Sequence, residues 1–123
     1  MRVYWEDTDG GGVVYYANYL RFLERARTEW LRARGHGQRD IAERLGLLFV
    51  VVRVEIDYRA AARLDDQLLV TCEPRPAGRI QVDFVQRILR GSIDGELVAE
   101  ARVRAACVDS RTLHPRRLPE FVR

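Results

Sequence analysis

Tyr16-Ala17-Asn18-Tyr19-Leu20-Arg21-Phe22-Leu23-Glu24-Arg25-Ala26-Arg27-Thr28-Glu29-Trp30-Leu31-Arg32-Ala33-Arg34 is the stretch on which the fold turns. Tyr19, Leu23, Ala26, Trp30 and Ala33 recur at helical spacing, and Leu20 and Leu31 widen the stripe. Most of the charged residues lie off that stripe. The spacing predicts one long amphipathic helix over residues 16–34, closed by Gly35 in a left-handed cap. At about 1.5 Å per residue it is roughly 28 Å long, enough to cross several strands.

The pattern on either side is of another kind. Upstream, Arg2 to Glu6 reads as a short strand, followed by a glycine-rich turn from Asp9 to Gly12. Downstream, a short helix over about Gln38 to Arg44 is closed by Gly46. The period then becomes two. Leu48, Val50, Val52, Val54, Ile56 and Tyr58 alternate with Leu47, Phe49 and Val51, which predicts a long strand covered on both faces at its start. Gln67 to Glu73 is expected to be a strand ending at Pro74. Ile80 to Ile88 is another, and after the Asp94-Gly95 turn Leu97 to Val108 is the last. Short links imply an antiparallel meander of about five strands curving round the helix, an α+β domain spanning residues 1–123. The outer sheet face, with apolar members such as Phe49 and Val85, is expected to be covered in part by another subunit.

Bulk composition narrows the function. The chain has 123 residues, 47% hydrophobic and 32% charged, with net charge +3. That suits a soluble globular domain. All 21 basic residues are arginine, as codon usage in a GC-rich genome would give, and they are interleaved with 18 acidic residues. No basic block points to nucleic acid. No apolar run reaches the ~20 residues that span a membrane, and the first residues have no signal-peptide core, so a cytoplasmic location is expected. Cys72 and Cys107 sit in strand-like runs and read as buried free thiols. Without a CxxC pair or a Cys/His cluster, no metal site is expected.

Asp9 is the candidate for chemistry. It precedes three glycines, where backbone can approach a ligand, and it lies just before the start of the longest helix, whose free N–H groups can hold an anion or a developing oxyanion. The competing reading is structural, since Asp also caps helices and favours turns. Other centres are poorer. Ser92 lies in a hairpin turn without a G-x-S-x-G elbow. His36 and His114 read as exposed loop histidines, and Cys107 has no reason to meet His114.

The run Arg2 to Tyr19, including Glu6-Asp7-Thr8-Asp9-Gly10-Gly11-Gly12-Val13-Val14-Tyr15-Tyr16, resembles the signature of the 4-hydroxybenzoyl-CoA thioesterase family. It is most similar to the YbgC-like branch of acyl-CoA thioesterases associated with the Tol-Pal system. Phe22 to Glu29, Tyr58 to Asp66 and Cys107-Val108-Asp109 are similar to that branch as well. The resemblance implies a hotdog fold, an antiparallel sheet wrapped round a central helix. It implies homodimers, often paired into homotetramers, with sites at subunit interfaces. It implies acyl-CoA as substrate, with an acyl carrier protein as the other candidate donor, and no cofactor. Asp9, second acid of the D-x-D motif, would be nucleophile or general base, and the backbone N–H of Tyr16 would polarise the thioester carbonyl. Gly12, Val13, Val14 and Tyr15 would line the substrate. Arg59 and Arg79, with Arg63 and Arg75, are candidates for the CoA phosphates. The branch often carries His where this chain has Tyr16. Related chains also have residues before the Arg2-Val3 segment, so the first strand is expected to be short.

Two other readings remain beside hydrolysis. A noncatalytic acyl-CoA or acyl-carrier-protein binding module would keep fold and pocket but has no need of the Asp9 carboxylate. A hotdog dehydratase would need a histidine on the helix, and neither His36 nor His114 is there.

Overall fold

A computed structural model describes residues 1–123. The long helix, α1, runs Asn18–Ala33. It begins two residues later than the spacing predicts because residues 15–17 form a tighter turn. There Asn18 N–H reaches the Tyr15 carbonyl at 2.9 Å and Leu20 N–H reaches Ala17 at 3.2 Å, each closing on the third residue back. Its end follows expectation: Gly35 sits at φ +83, with Gly35 N–H on Arg32 O and His36 N–H on Leu31 O, both 2.9 Å. The buried face holds Tyr19, Phe22, Leu23 and Leu31. Leu20, expected on that face, is exposed, and Phe22, not expected there, is fully buried.

A short helix α2 (Gln38–Asp40) passes into a π turn over Ile41–Leu45, and Gly46 closes it in the left-handed region. The strands are β1 (Leu47–Tyr58), β2 (Leu68–Val70), β3 (Glu73–Pro76), β4 (Gln81–Arg90) and β5 (Leu97–Asp109). All pairings are antiparallel, in the order β1-β5-β4-β2, with β3 also on β4. This is not the expected meander. The first strand pairs with the last, and residues 59–67 cross from one edge of the sheet to the other. That crossing carries Ala62, fully buried, into the core and binds the N-terminal segment.

The predicted strand Arg2–Glu6 shrinks to a bridge between Arg2 and Gln67, with Val3 N–H on Asp66 O at 2.9 Å. The reason is local: the buried Asp7 carboxylate accepts Tyr4 N–H at 3.0 Å and folds Trp5–Asp7 into a 3-10 turn. The predicted strand Gln67–Glu73 is interrupted at Thr71-Cys72, and pairing resumes through Pro74 and Pro76. Proline is tolerated there because β3 lies at the sheet edge.

β1 has the expected limits but a different burial. Leu47 is buried and Leu48 and Phe49 half-buried, whereas Val50, Val51, Val52 and Val54 are 40–52% exposed. A bulge between Val51 and Arg53 shifts the register, so the apparent single alternation is two phases. Phe49 and Val51 face α1 before it; Val54, Ile56 and Tyr58 oppose the buried Val103, Ala101 and Ala99 after it. Phe49 is therefore an inner-face residue, not an outer one. The outer face is largely ionic. There Asp83, only 3% exposed, accepts from Arg104 Nε at 2.7 Å and from Arg102 Nη1 at 3.0 Å, and Val85 lies among Glu55, Arg87, Glu100 and Arg102. Within the sheet, the exposed apolar residues are mainly on β1 instead. No helix is long and apolar enough to cross a membrane.

Candidate active site

The two acids of the D-x-D motif are placed differently. Asp7 is buried, and besides its carboxylate bond its carbonyl accepts Tyr15 N–H at 3.1 Å and the Asn18 side-chain amide at 2.9 Å. Asp9 is exposed. Its Oδ1 accepts Gly11 N–H at 2.7 Å, its N–H donates to Val13 O at 3.0 Å, and no arginine forms an ion pair with it. The chain can turn back so tightly because Gly10 and Gly12 both adopt φ +88. A Cβ on Gly11 would meet Asp9 Oδ1 at 3.1 Å, so glycine there leaves the carboxylate its place.

From that turn the chain runs directly to the start of α1. Tyr16 N–H has no acceptor within the chain, and the Tyr16 carbonyl takes Tyr58 OH at 3.3 Å and Tyr19 N–H at 3.3 Å. An open N–H at the positive end of a sixteen-residue helix, a few residues from an unpaired carboxylate, can hold a carbonyl oxygen as charge develops on it. Tyr15, Tyr16 and Tyr58 surround this point, with ring centroids 5.0 Å apart for Tyr15–Tyr16 and 6.3 Å for Tyr16–Tyr58.

The other candidates fall into two groups. Gly12 and Val13 are half-buried beside Asp9 and Tyr15 is exposed, whereas Val14 is buried in the core. Arg63 bridges to Val13 and so lies at the turn. Arg59 is at the same end of the sheet but is already paired with Glu100 at 2.6 Å. Arg75 pairs with Glu73, and Arg79 precedes the far end of β4. That strand of ten residues spans roughly 30 Å, so one chain does not bring Arg79 to Asp9.

Neither histidine approaches Asp9. His36 follows the opposite end of α1 and is not the exposed loop residue expected. It is half-buried and stacks on Phe121, 3.8 Å between centroids, with Nδ1 unpartnered. His114 is exposed near the C-terminus. Cys107 is buried and Cys72 half-buried, both free, and burial pushes the Cys72 thiol up to about 11. No three His, Cys, Asp or Glu side chains converge as metal ligands. The Tyr19 hydroxyl was missed by sequence reasoning. It accepts Ala62 N–H at 3.1 Å, and the signal was only a tyrosine at an interior helix position.

A family model described as the Thioesterase-like superfamily matches residues 3–123. The acyl-CoA thioesterase YbgC of Haemophilus influenzae is 44% identical over 123 residues, covering 100% of this chain and 88% of that protein. A crystal structure of a probable thioesterase from Bartonella henselae matches with TM-score 0.87 at 35% identity, covering 97% of this chain and 95% of that one. A 1,4-dihydroxy-2-naphthoyl-CoA thioesterase from Synechocystis matches with TM-score 0.87 at 27% identity, over 98% and 87% of the two chains.

Proposed function

The chain belongs to the Thioesterase-like superfamily, and from that premise we propose that it hydrolyses the thioester of acyl-CoA with the Asp9 carboxylate and the open N–H at Tyr16. It is a thioester hydrolase of the hotdog fold, and residues 1–123 act as one domain. The observation that carries the assignment of residues is the pairing of an exposed carboxylate that no cation neutralises with a backbone N–H at the start of the helix that no group of the chain accepts. The thioester carbonyl oxygen accepts from Tyr16 N–H. Asp9 then either attacks the carbonyl carbon, expelling the CoA thiolate and leaving an acyl anhydride for water to cleave, or takes the proton of an attacking water. One oxyanion donor of this kind contributes about 3 kcal/mol to the transition state. The nearest charge available to the CoA phosphates is Arg63. Acyl carrier protein thioesters are a second class of donor for the same site.

The protein is further proposed to act in the cytoplasm as a homodimer, pairing into homotetramers. The support for the assembly is twofold. Asp9 lies on an open surface within one chain, and the exposed valines of β1 lie along an edge whose outer side pairs with nothing. Antiparallel pairing of two β1 strands would cover them and close a wall over the site.

Release of free thiol from a panel of aliphatic and aromatic acyl-CoAs tests the assignment, with Asp9→Asn beside the wild type. Equal rates for the two proteins would overturn it. Light scattering of Val50→Lys tests the dimer, and an unchanged mass would count against β1 as the interface.

A further inference from the structure

Asp9 and the helix start must hold a fixed separation, and the chain ties them together twice. One tie is the Asp7 carbonyl, which takes Tyr15 N–H and the Asn18 amide. The other runs through the crossing segment. Asp9 N–H bonds Val13 O, and residues 12–14 are backed by residues 62–64, with Val14 N–H on Ala62 O at 2.8 Å and Leu64 N–H on Gly12 O at 3.0 Å. Two side chains hold that backing. From inside, the hydroxyl of Tyr19, 3% exposed and three residues after Tyr16 on α1, accepts Ala62 N–H. From the sheet, Arg90 forks onto the crossing segment. Its Nη1 donates to Asp66 Oδ2 and its Nη2 to Ala61 O at 2.8 Å, while Asp66 Oδ2 also takes Arg63 N–H at 2.8 Å. Asp65 between them adopts φ 70, a left-handed turn conformation that Asp takes more readily than most side-chain-bearing residues.

We propose that Tyr19 and Arg90 are positioning residues for hydrolysis. They clamp Ala61–Asp66 from helix and sheet, and through it they set the Asp9 carboxylate against the N-terminus of α1. The proposal rests on the reading of Asp9 as the acting carboxylate. Tyr19 is the sharper case, because its hydroxyl sits in the first turn of α1 and the Tyr16 N–H in the turn that leads into it. Removing the hydroxyl frees the carboxylate from the donor it works with but leaves the ring against Phe22 and Tyr58.

The test is a mutant cycle in kcat and KM, run well below each variant's thermal midpoint. Tyr19→Phe and Arg90→Gln are expected to lower kcat about 10- to 100-fold, since a misplacement of ~1 Å costs that order, while KM stays within about twofold. In the Asp9→Asn background neither is expected to lower kcat further, because a group acting through Asp9 has nothing left to position. If Asp9→Asn is inactive while Tyr19→Phe and Arg90→Gln keep wild-type kcat, with only their melting points lowered, the hydroxyl and the fork are structural and the inference fails alone. If Asp9→Asn itself turns over at the wild-type rate, the reading of Asp9 fails and the inference with it. Should Arg90→Gln not fold, Arg90→Lys serves, since an ammonium keeps the charge but not the two-pronged hold.

Discussion

Asp9 and Asp83 are the same residue type in opposite surroundings. Asp83 is buried on the outer face of β4, between Arg102 and Arg104, with both oxygens satisfied by guanidinium N–H groups. The Arg104 hydrogen bonds, helped by Arg102, hold its carboxyl below the usual carboxylate range. Asp9 is exposed, bonded to one backbone N–H and to no cation. A charge neutralised by two arginines stabilises a sheet and has nothing left to offer a substrate. A charge left unpaired next to a helix N-terminus contributes little to the fold and is available for chemistry. Burial, usually a pointer to importance, goes here with the carboxylate that arginines neutralise.

The largest effect that could break this contrast is on turnover. Asp9→Asn is expected to lower kcat by at least ~100-fold with its thermal midpoint near wild type, since an exposed side chain with one local bond contributes little to stability. Asp83→Asn is expected to do the reverse, keeping turnover while losing about 1–2 kcal/mol in denaturant titration, because charge-assisted bonds weaken and two partly exposed arginines face each other. Loss of activity in Asp83→Asn at full folding would erase the distinction.

The pH dependence sharpens it. The Asp83 carboxyl titrates lower in the folded chain than when unfolded, so its contribution is present above the unfolded carboxylate value and is lost as pH falls through the lowered folded value. Thermal midpoints from neutral to acid pH should therefore fall less steeply for Asp83→Asn than for the wild type. The smallest expected effect concerns recognition. Arg63→Ala should raise KM for acyl-CoA several-fold but not for an acyl-pantetheine lacking the nucleotide phosphates, whereas Arg79→Ala should leave both within about twofold if each chain supplies its own phosphate contact.

Much of the architecture was legible from residues. The central helix and its Gly35 cap, the limits of β1, and the last two strands follow from spacing that local chemistry enforces. Where the reading failed, a distant or specific contact had overridden the local pattern. The Asp7 carboxylate turned a predicted strand into a 3-10 turn. The bulge at Val52 broke one alternation into two, and it placed Phe49 on the helix side. Pairing of β1 with β5 replaced the meander, a choice that side-chain alternation along a strand does not encode.

The candidate site divides the same way. Sequence by itself determined that Asp9 precedes a glycine turn and a long helix, since glycine conformations and helix starts are properties of neighbouring residues. Only the tertiary structure decided that Asp7 is buried and Asp9 open, that Tyr16 N–H is unclaimed, and that Tyr19, Ala62 and Arg90 stand behind the turn. Those are contacts between residues up to 43 apart in sequence, and their partners are chosen by packing of the helix on the sheet.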